Sequence, residues 1–87
     1  MALSFPNVSR NYDTSKQLVC FWGYDSAFEI SFFIGREALQ SIAGRPCNSE
    51  AESLTAFDAN RSRIHKVALK TYSRRRGNFH SLLPGDF

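Results

Sequence analysis

The sequence predicts a small α+β domain with the order β-β-β-α-α-β, in which two helices cover one face of an antiparallel sheet of about four strands. Two patterns support this prediction. Residues 27–34 alternate between apolar and other side chains, as a strand does when one of its faces packs on a core. Residues 61–76, RSRIHKVALKTYSRRR, place apolar side chains at helical spacing. The 87 residues allow one domain, spanning 1–87.

The first third of the chain is predicted to form a three-stranded meander. Residues 8–12, 17–22 and 27–34 are the predicted strands, and the turn-forming residues at 13–16 and 23–26 connect them. The core face of the third strand is expected to contain Phe28, Ile30, Phe32 and Ile34. Its opposite face contains Ala27, Glu29, Ser31 and Phe33.

Two helices are predicted next, followed by a closing strand at 78–83. The first helix spans 36–43, and Gly44 is placed as its left-handed cap. The second begins at Ser49, which has capping-box spacing to Glu52, and extends to residue 76 unless it breaks at 58–60. The strand and helix patterns together predict one buried core: Phe28, Ile30, Phe32, Ile42, Leu54, Phe57, Ile64 and Ala68.

Positive charge is concentrated in the second half of the chain. Residues 1–44 contain three Lys and Arg against four Asp and Glu, whereas residues 45–87 contain eight against four. Because residues 61–76 include no acid, the second helix should present a basic face to an anionic partner or to solvent. The candidate contacts for an anion or a nucleic acid are Arg61, Lys66, Lys70, Arg74, Arg75 and Arg76.

Arg61 differs from the other candidates. In a continuous helix it lies within the apolar stripe between Phe57 and Ile64, where a guanidinium needs a carboxylate such as Asp58 or Glu29. It is then either a structural salt-bridge residue or an anion-binding arginine in a pocket. A helix break at 58–60 would instead expose it.

Residues typical of catalysis or of metal and cofactor binding are sparse. His65 and His80 are not spaced with Cys, Asp or Glu as a zinc site requires, and there is no glycine-rich phosphate loop. Cys20 and Cys47 do not form a disulfide framework. We therefore expect no metal, no cofactor and no enzymatic activity.

The N-terminal residues lack the basic and apolar regions of a signal peptide. The longest apolar run, LVCFW at 18–22, is too short to span a membrane. We expect a cytoplasmic protein without membrane contact.

Several stretches are familiar in combination: the opening MALSFPN, FWG at 21–23, EISFFI at 29–34, FDANRSRIHKVA at 57–68 and the final DF. In this order, over nearly the whole chain, they resemble a family of short proteobacterial proteins catalogued as domain of unknown function 1488. The resemblance implies a small free-standing α+β protein, often encoded alone. It implies no activity and transfers no catalytic or binding residues.

The leading hypothesis for function is a non-enzymatic binding or interaction module, homodimeric through a sheet edge or through the outer sheet face. Two helices cannot cover both faces of the sheet, so an apolar set left on the outer face would mark a partner surface. The second strand contributes to that face either Val19 and Phe21, or Leu18, Cys20 and Trp22. The alternative hypothesis is a nucleic-acid-binding accessory protein that uses the basic helix.

Overall fold

The computed structural model describes residues 3–6 and 10–87, and this part of the chain confirms the α+β class. It contains one mixed sheet of five strands and three α-helices. The strands are β1 (Leu3–Ser4), β2 (Arg10–Asp13), β3 (Leu18–Asp25), β4 (Phe28–Gly35) and β5 (Phe79–Leu82). The helices are α1 (Arg36–Ala43), α2 (Glu50–Ala59) and α3 (Arg61–Arg74), and a 3₁₀ turn (Pro84–Asp86) follows β5.

The antiparallel pair β3–β4 forms the centre of the sheet. Both β1 and β2 pair with the free side of β3, and β5 pairs with β4. β5 runs parallel to β4, so the prediction of a wholly antiparallel sheet is wrong for this strand. The helices return the chain to the end of the sheet at which β4 begins. There the N–H of Ser31 donates to the carbonyl of Asn78 (2.8 Å), just before β5 starts. A strand that starts there must run in the direction of β4.

The predicted turn at 23–26 is displaced toward the C-terminus. β3 continues through Gly23 to Asp25, and the reversal is made by Ser26, with φ 57°, and Ala27. Gly23 lies within β3, next to the point where β1 pairs with this strand. A Cβ at position 23 would lie 2.6 Å from the carbonyl oxygen of Ser4, so a larger residue would clash with β1. β1 was not predicted. The first residues of the predicted strand 8–12 lie outside the described residues.

All three helices pack on one face of the sheet and share one core with it. Most predicted core residues are confirmed there, namely Ile30, Phe32, Phe57, Ile64 and Ala68. Ile42 and Leu54 pack against the core but remain half-buried. The prediction for Phe28 is wrong: its side chain is 68% exposed because it lies next to the hairpin turn, at the end of β4 away from α1.

The long second helix predicted for 49–76 is two helices, as the alternative of a break at 58–60 allowed. Ser49 caps α2 by accepting from the N–H of Glu52 (3.1 Å), which confirms the predicted start. Asn60 leaves helical geometry, with φ −118° and ψ 19°, and its side-chain amide donates to the carbonyl of Ala56 (2.9 Å). This local bond competes with continuation of the backbone helix. α3 then begins at Arg61.

Candidate interaction surfaces

The exposed side of α3 is a basic stripe, which we define as Arg63, Lys66, Lys70 and Arg74. α3 places these cations opposite its buried residues, Ile64, Ala68, Thr71 and Tyr72. At 1.5 Å per residue the stripe is roughly 16 Å long. Within the described ranges, no carboxylate lies within salt-bridge distance of any of its four cations. Their charge is available to solvent or to an anionic partner.

Arg61 does not belong to the basic stripe. Its guanidinium donates to Asp58 (2.7 Å) and lies 4.9 Å from the centroid of the Phe57 ring. Its side chain is only 22% exposed. Of the two carboxylates considered from the sequence, Asp58 is the partner, three residues before Arg61. The expectation that a helix break at 58–60 would expose Arg61 is wrong, because this ion pair and the Phe57 ring cover its side chain.

Asp58 also accepts two hydrogen bonds from Arg10 on β2, from Nε (3.0 Å) and from Nη2 (2.8 Å). Partial burial acts to raise the pKa of Asp58, but the hydrogen bonds and positive charge of Arg10, followed by those of Arg61, lower it below its ordinary value. Asp58 thus joins β2 to the junction of α2 and α3. No local pattern in the sequence pairs Arg10 with a residue 48 positions away.

Arg75 and Arg76, beyond the end of α3, lie beside the edge strand β5. Arg76 lies over the ring of Tyr72, 5.1 Å from its centroid, and 3.8 Å from the carboxylate of Asp25. The Tyr72 hydroxyl donates to the same carboxylate (2.5 Å), which raises the pKa of Tyr72 because the phenolate would face a negative charge. Arg75 has no ion pair in the part of the chain that the structure describes.

These two arginines line a cleft of about 400 Å³ between the end of α3 and β5. We call it the β5 cleft, and its lining consists of Arg75, Arg76, Phe79, His80, Ser81 and Leu83. The hydrogen bond from the Ser31 N–H to the Asn78 carbonyl sets the register of the parallel β4–β5 pair. In such a pair, alternate residues of a strand direct their backbone groups toward the neighbouring strand, and in β5 these are His80 and Leu82. The N–H and C=O groups of Phe79 and Ser81 therefore point toward the free edge.

The face of the sheet opposite the helices is the second large surface. We call it the outer face. It is defined by side chains that alternate with the core residues, none of which is fully buried: Asn11, Asp13, Leu18, Cys20, Trp22, Tyr24, Glu29, Ser31, Phe33, Phe79 and Ser81. Phe33 and Phe79 stack on neighbouring strands, with centroids 6.4 Å apart and ring planes 13° apart. Of the two alternatives for the second strand, the face receives Leu18, Cys20 and Trp22.

The histidines and cysteines are not brought together. His65 stacks on Phe5 with a centroid distance of 4.0 Å, and its pKa is lowered by burial and then by the charge of Arg61. His80 stacks on Phe32, and its Nε2 lies 3.0 Å from the carbonyl oxygen of Gly77. Cys20 and Cys47 are both free thiols. No cluster of three or more His, Cys, Asp or Glu side chains suited to a metal occurs among residues 3–6 and 10–87.

Among the described helices, none combines the length and the apolar character needed to cross a membrane.

Comparison with known proteins supports the resemblance found in the sequence. The profile of a family described as "Protein of unknown function (DUF1488)" matches residues 3–82. A crystal structure of a protein of unknown function from the DUF1488 family of Shewanella loihica PV-4 is similar, with a TM-score of 0.82 at 18% identity. The alignment covers 93% of this chain and 91% of that one, and it shows the common fold. No curated protein matches the chain. A profile match over nearly all of the sequence means that the chain belongs to the DUF1488 family.

Proposed function

We propose that this protein is a non-enzymatic interaction module that self-associates through the outer face of its sheet. The observation that carries the proposal is the position of the helices, all of which pack on the other face and leave aromatic side chains half-exposed. Trp22 and Tyr24 follow one another on this face of β3, and Phe33 lies diagonally across from Trp22 on β4. Phe79 on β5 stacks on Phe33 and extends this aromatic row. A contiguous apolar area of this kind is typical of an interaction site.

The charge of the outer face favours a protein over a nucleic acid as the partner. The strands contribute Asp13 and Glu29 to this face and no Lys or Arg. A polyanion would be repelled there, whereas a second copy could bury the aromatic row and leave both acids at the rim. The basic stripe of α3 lies on the opposite side of the molecule and would not interfere.

The dimensions of the outer face suit a weak, concentration-dependent dimer. β3 and β4 have eight residues each and β2 and β5 four each, so the four strands give a footprint of roughly 380 Å² on each copy. Two such faces bury roughly 760 Å² in total, the size range of transient complexes. Stacked about 10 Å apart, the two sheets would form the centre of a four-layer arrangement with helices on both outer sides.

The absence of enzymatic activity is part of the proposal. His65 is packed between aromatic rings, with Phe5 on one side and Phe21 at 5.7 Å. His80 contacts Phe32, Tyr72 and a backbone carbonyl. These ring and backbone contacts support a structural role for both imidazoles.

The test is the mass of the protein in solution, measured by light scattering over a range of concentrations. Wild type is expected to be a dimer, and Phe33→Glu a monomer, because the substitution places a charge in the centre of the outer face. Phe28→Glu is the matched control: it adds the same charge to an exposed phenylalanine of the same strand, outside the aromatic row. A monomeric wild type, or equal loss of dimer in both variants, would refute the proposal.

A second candidate function is nucleic-acid binding through the basic stripe, which is favoured by the four cations without acidic partners on α3. Replacement of Lys66, Lys70 and Arg74 by Gln should then weaken binding to all sequences alike and reduce the salt slope by about one unit per lost phosphate contact. If the wild-type protein does not bind nucleic acid at about 150 mM salt, the physiological range, this function is excluded.

A further inference from the structure

The β5 cleft combines, in one concavity, the groups that recognise a phosphate and those that recognise an aromatic base. Its volume of about 400 Å³ falls within the range of roughly 300–1,000 Å³ that is typical of small-molecule sites. None of its lining residues is acidic. The cleft lies at the edge of the sheet, apart from the basic stripe on α3.

The phosphate-recognising half consists of two guanidinium groups and the edge of β5. Arg75 has no ion pair within the described ranges. Arg76 is 63% exposed, and its single contact with Asp25, at 3.8 Å, leaves most of its five N–H donors available. The Ser81 hydroxyl and the outward N–H groups of Phe79 and Ser81 add neutral donors. Planar guanidinium donors match the geometry of phosphate oxygens.

The base-recognising half is the ring of Phe79, which is 73% exposed. The ring stacks on Phe33, with centroids 6.4 Å apart. No strand pairs with the other edge of β5 within the described part of the sheet, and the Phe79 side chain lines the cleft at that edge. An exposed, oriented aromatic face beside cations is the arrangement on which nucleic-acid bases stack.

We propose that the β5 cleft binds a nucleotide unit, with its phosphate on Arg75 and Arg76 and its base stacked on Phe79. The unit is either a free nucleotide or one residue of a single-stranded nucleic acid. An acidic peptide added as a further strand is less favoured, because only Phe79 and Ser81 offer free backbone groups and their ladder would be short. The site goes beyond self-association and does not depend on it.

The test is a fluorescence titration of the full-length protein at about 50 mM salt, where phosphate contacts are strong. The probes are a labelled short oligothymidylate, a labelled adenosine monophosphate and a labelled polyglutamate, with inorganic phosphate as competitor. Saturable binding of the oligonucleotide or of the mononucleotide is expected, and the stronger of the two identifies the source. Phe79→Ala should weaken this binding roughly 5- to 100-fold, the range for loss of one base stack. Arg75→Gln should weaken it and flatten its salt dependence.

Two matched variants serve as controls. Phe28→Ala removes a phenylalanine of similar exposure from the same sheet, and Arg45→Gln removes an exposed arginine remote from the cleft. Both should bind as wild type does. Phe79 belongs to both the outer face and the cleft, whereas Arg75 lies only in the cleft. Light scattering on all variants therefore separates the two sites, because loss of nucleotide binding in an Arg75→Gln variant that keeps the wild-type mass reports on the cleft alone. The proposal is overturned if no nucleotide probe binds, if Phe79→Ala binds as tightly as Phe28→Ala, or if polyglutamate binds best.

Discussion

Arg10 and Asp58, 48 residues apart in sequence, form a two-point contact in which the guanidinium donates to both carboxylate oxygens at 3.0 and 2.8 Å. The contact joins the edge strand β2 to the end of α2, where Arg61 adds a third hydrogen bond at the start of α3. The side chain of Asp58 is 43% exposed, so solvent screening limits the stability that these bonds contribute. Their main structural effect is to fix the position of β2 against the helix junction.

Asp58→Asn should destabilise the fold by about 1 kcal/mol, because the amide loses the charge-assisted bonds and leaves Arg10 and Arg61 close together. Urea denaturation at neutral pH measures the change. Glu50→Gln, which neutralises an exposed acid in the first turn of α2, is the control and should change stability by less. The pKa of Asp58 is 3.8 in its ordinary state and lower in the folded protein. Its contribution to stability is therefore complete above pH 3.8 and is lost as the pH falls from 3.8 through the lower folded-state pKa. Equal stability of the two variants would contradict this role.

His65 should make stability fall in mild acid. Its pKa in the folded protein is lowered from the ordinary 6.5, first by burial and then by the positive charge of Arg61. The unfolded chain therefore binds a proton more readily, so the stabilisation is complete above pH 6.5 and declines as the pH falls below it. His65→Phe preserves a ring against Phe5 and cannot titrate. Unfolding free energies between about pH 7 and pH 5 should decrease more steeply in wild type than in this variant. Parallel curves would show that His65 is not the titrating group.

Phe32→Ala should cost roughly 3–5 kcal/mol, because the side chain is fully buried between the sheet and the helices. Phe28→Ala removes the same atoms from an exposed position four residues earlier on β4 and should change stability by less than about 0.5 kcal/mol. Thermal or urea unfolding of the pair measures the difference. Similar losses of stability in both variants would mean that Phe32 is not the buried residue and Phe28 not the exposed residue of β4.

Gly23→Ala should destabilise by about 1–3 kcal/mol, the usual cost of forcing extra atoms into a packed region. Its Cβ would lie 2.6 Å from the carbonyl oxygen of Ser4 and 2.9 Å from the Phe5 ring, so β1 would have to shift. At Gly35 a Cβ meets no atom within 4 Å, and Gly35→Ala is the control. If both variants unfold at the same denaturant concentration, β1 does not pack against β3 as described.

The sequence predicted the central features of the fold because they depend on local periodicity. Alternation identified β4 and the buried side of Ile30, Phe32 and Ile34, and capping chemistry identified the start of α2 at Ser49. The exposure of Phe28 was missed, since periodicity assigns a residue to a face without showing where the covering helices end. The direction of β5 was missed because it depends on the path of the helices.

For the candidate surfaces too, features that depend on local spacing could be predicted, and features that depend on strand pairing could not. The basic stripe was recognised from helical spacing alone, whereas the aromatic row of the outer face depends on the register of β3 against β4 and on β5 joining the sheet. The alternation of Leu18, Cys20 and Trp22 was a usable signal, but the sequence left their face undecided. The contact from Arg10 to Asp58 had no signal, because salt bridges between distant residues leave no local pattern.

Trp22, the one tryptophan of the chain, lies in the outer face and reports directly on self-association. Its fluorescence should be measured together with molecular mass as the protein is diluted. If the outer face is the interface, dilution should convert dimer to monomer while the Trp22 emission shifts to longer wavelength and its quenching by acrylamide increases. Phe33→Glu should show the diluted spectrum at every concentration. A dimer that dissociates without any change at Trp22, or a monomer throughout, would contradict self-association through this face.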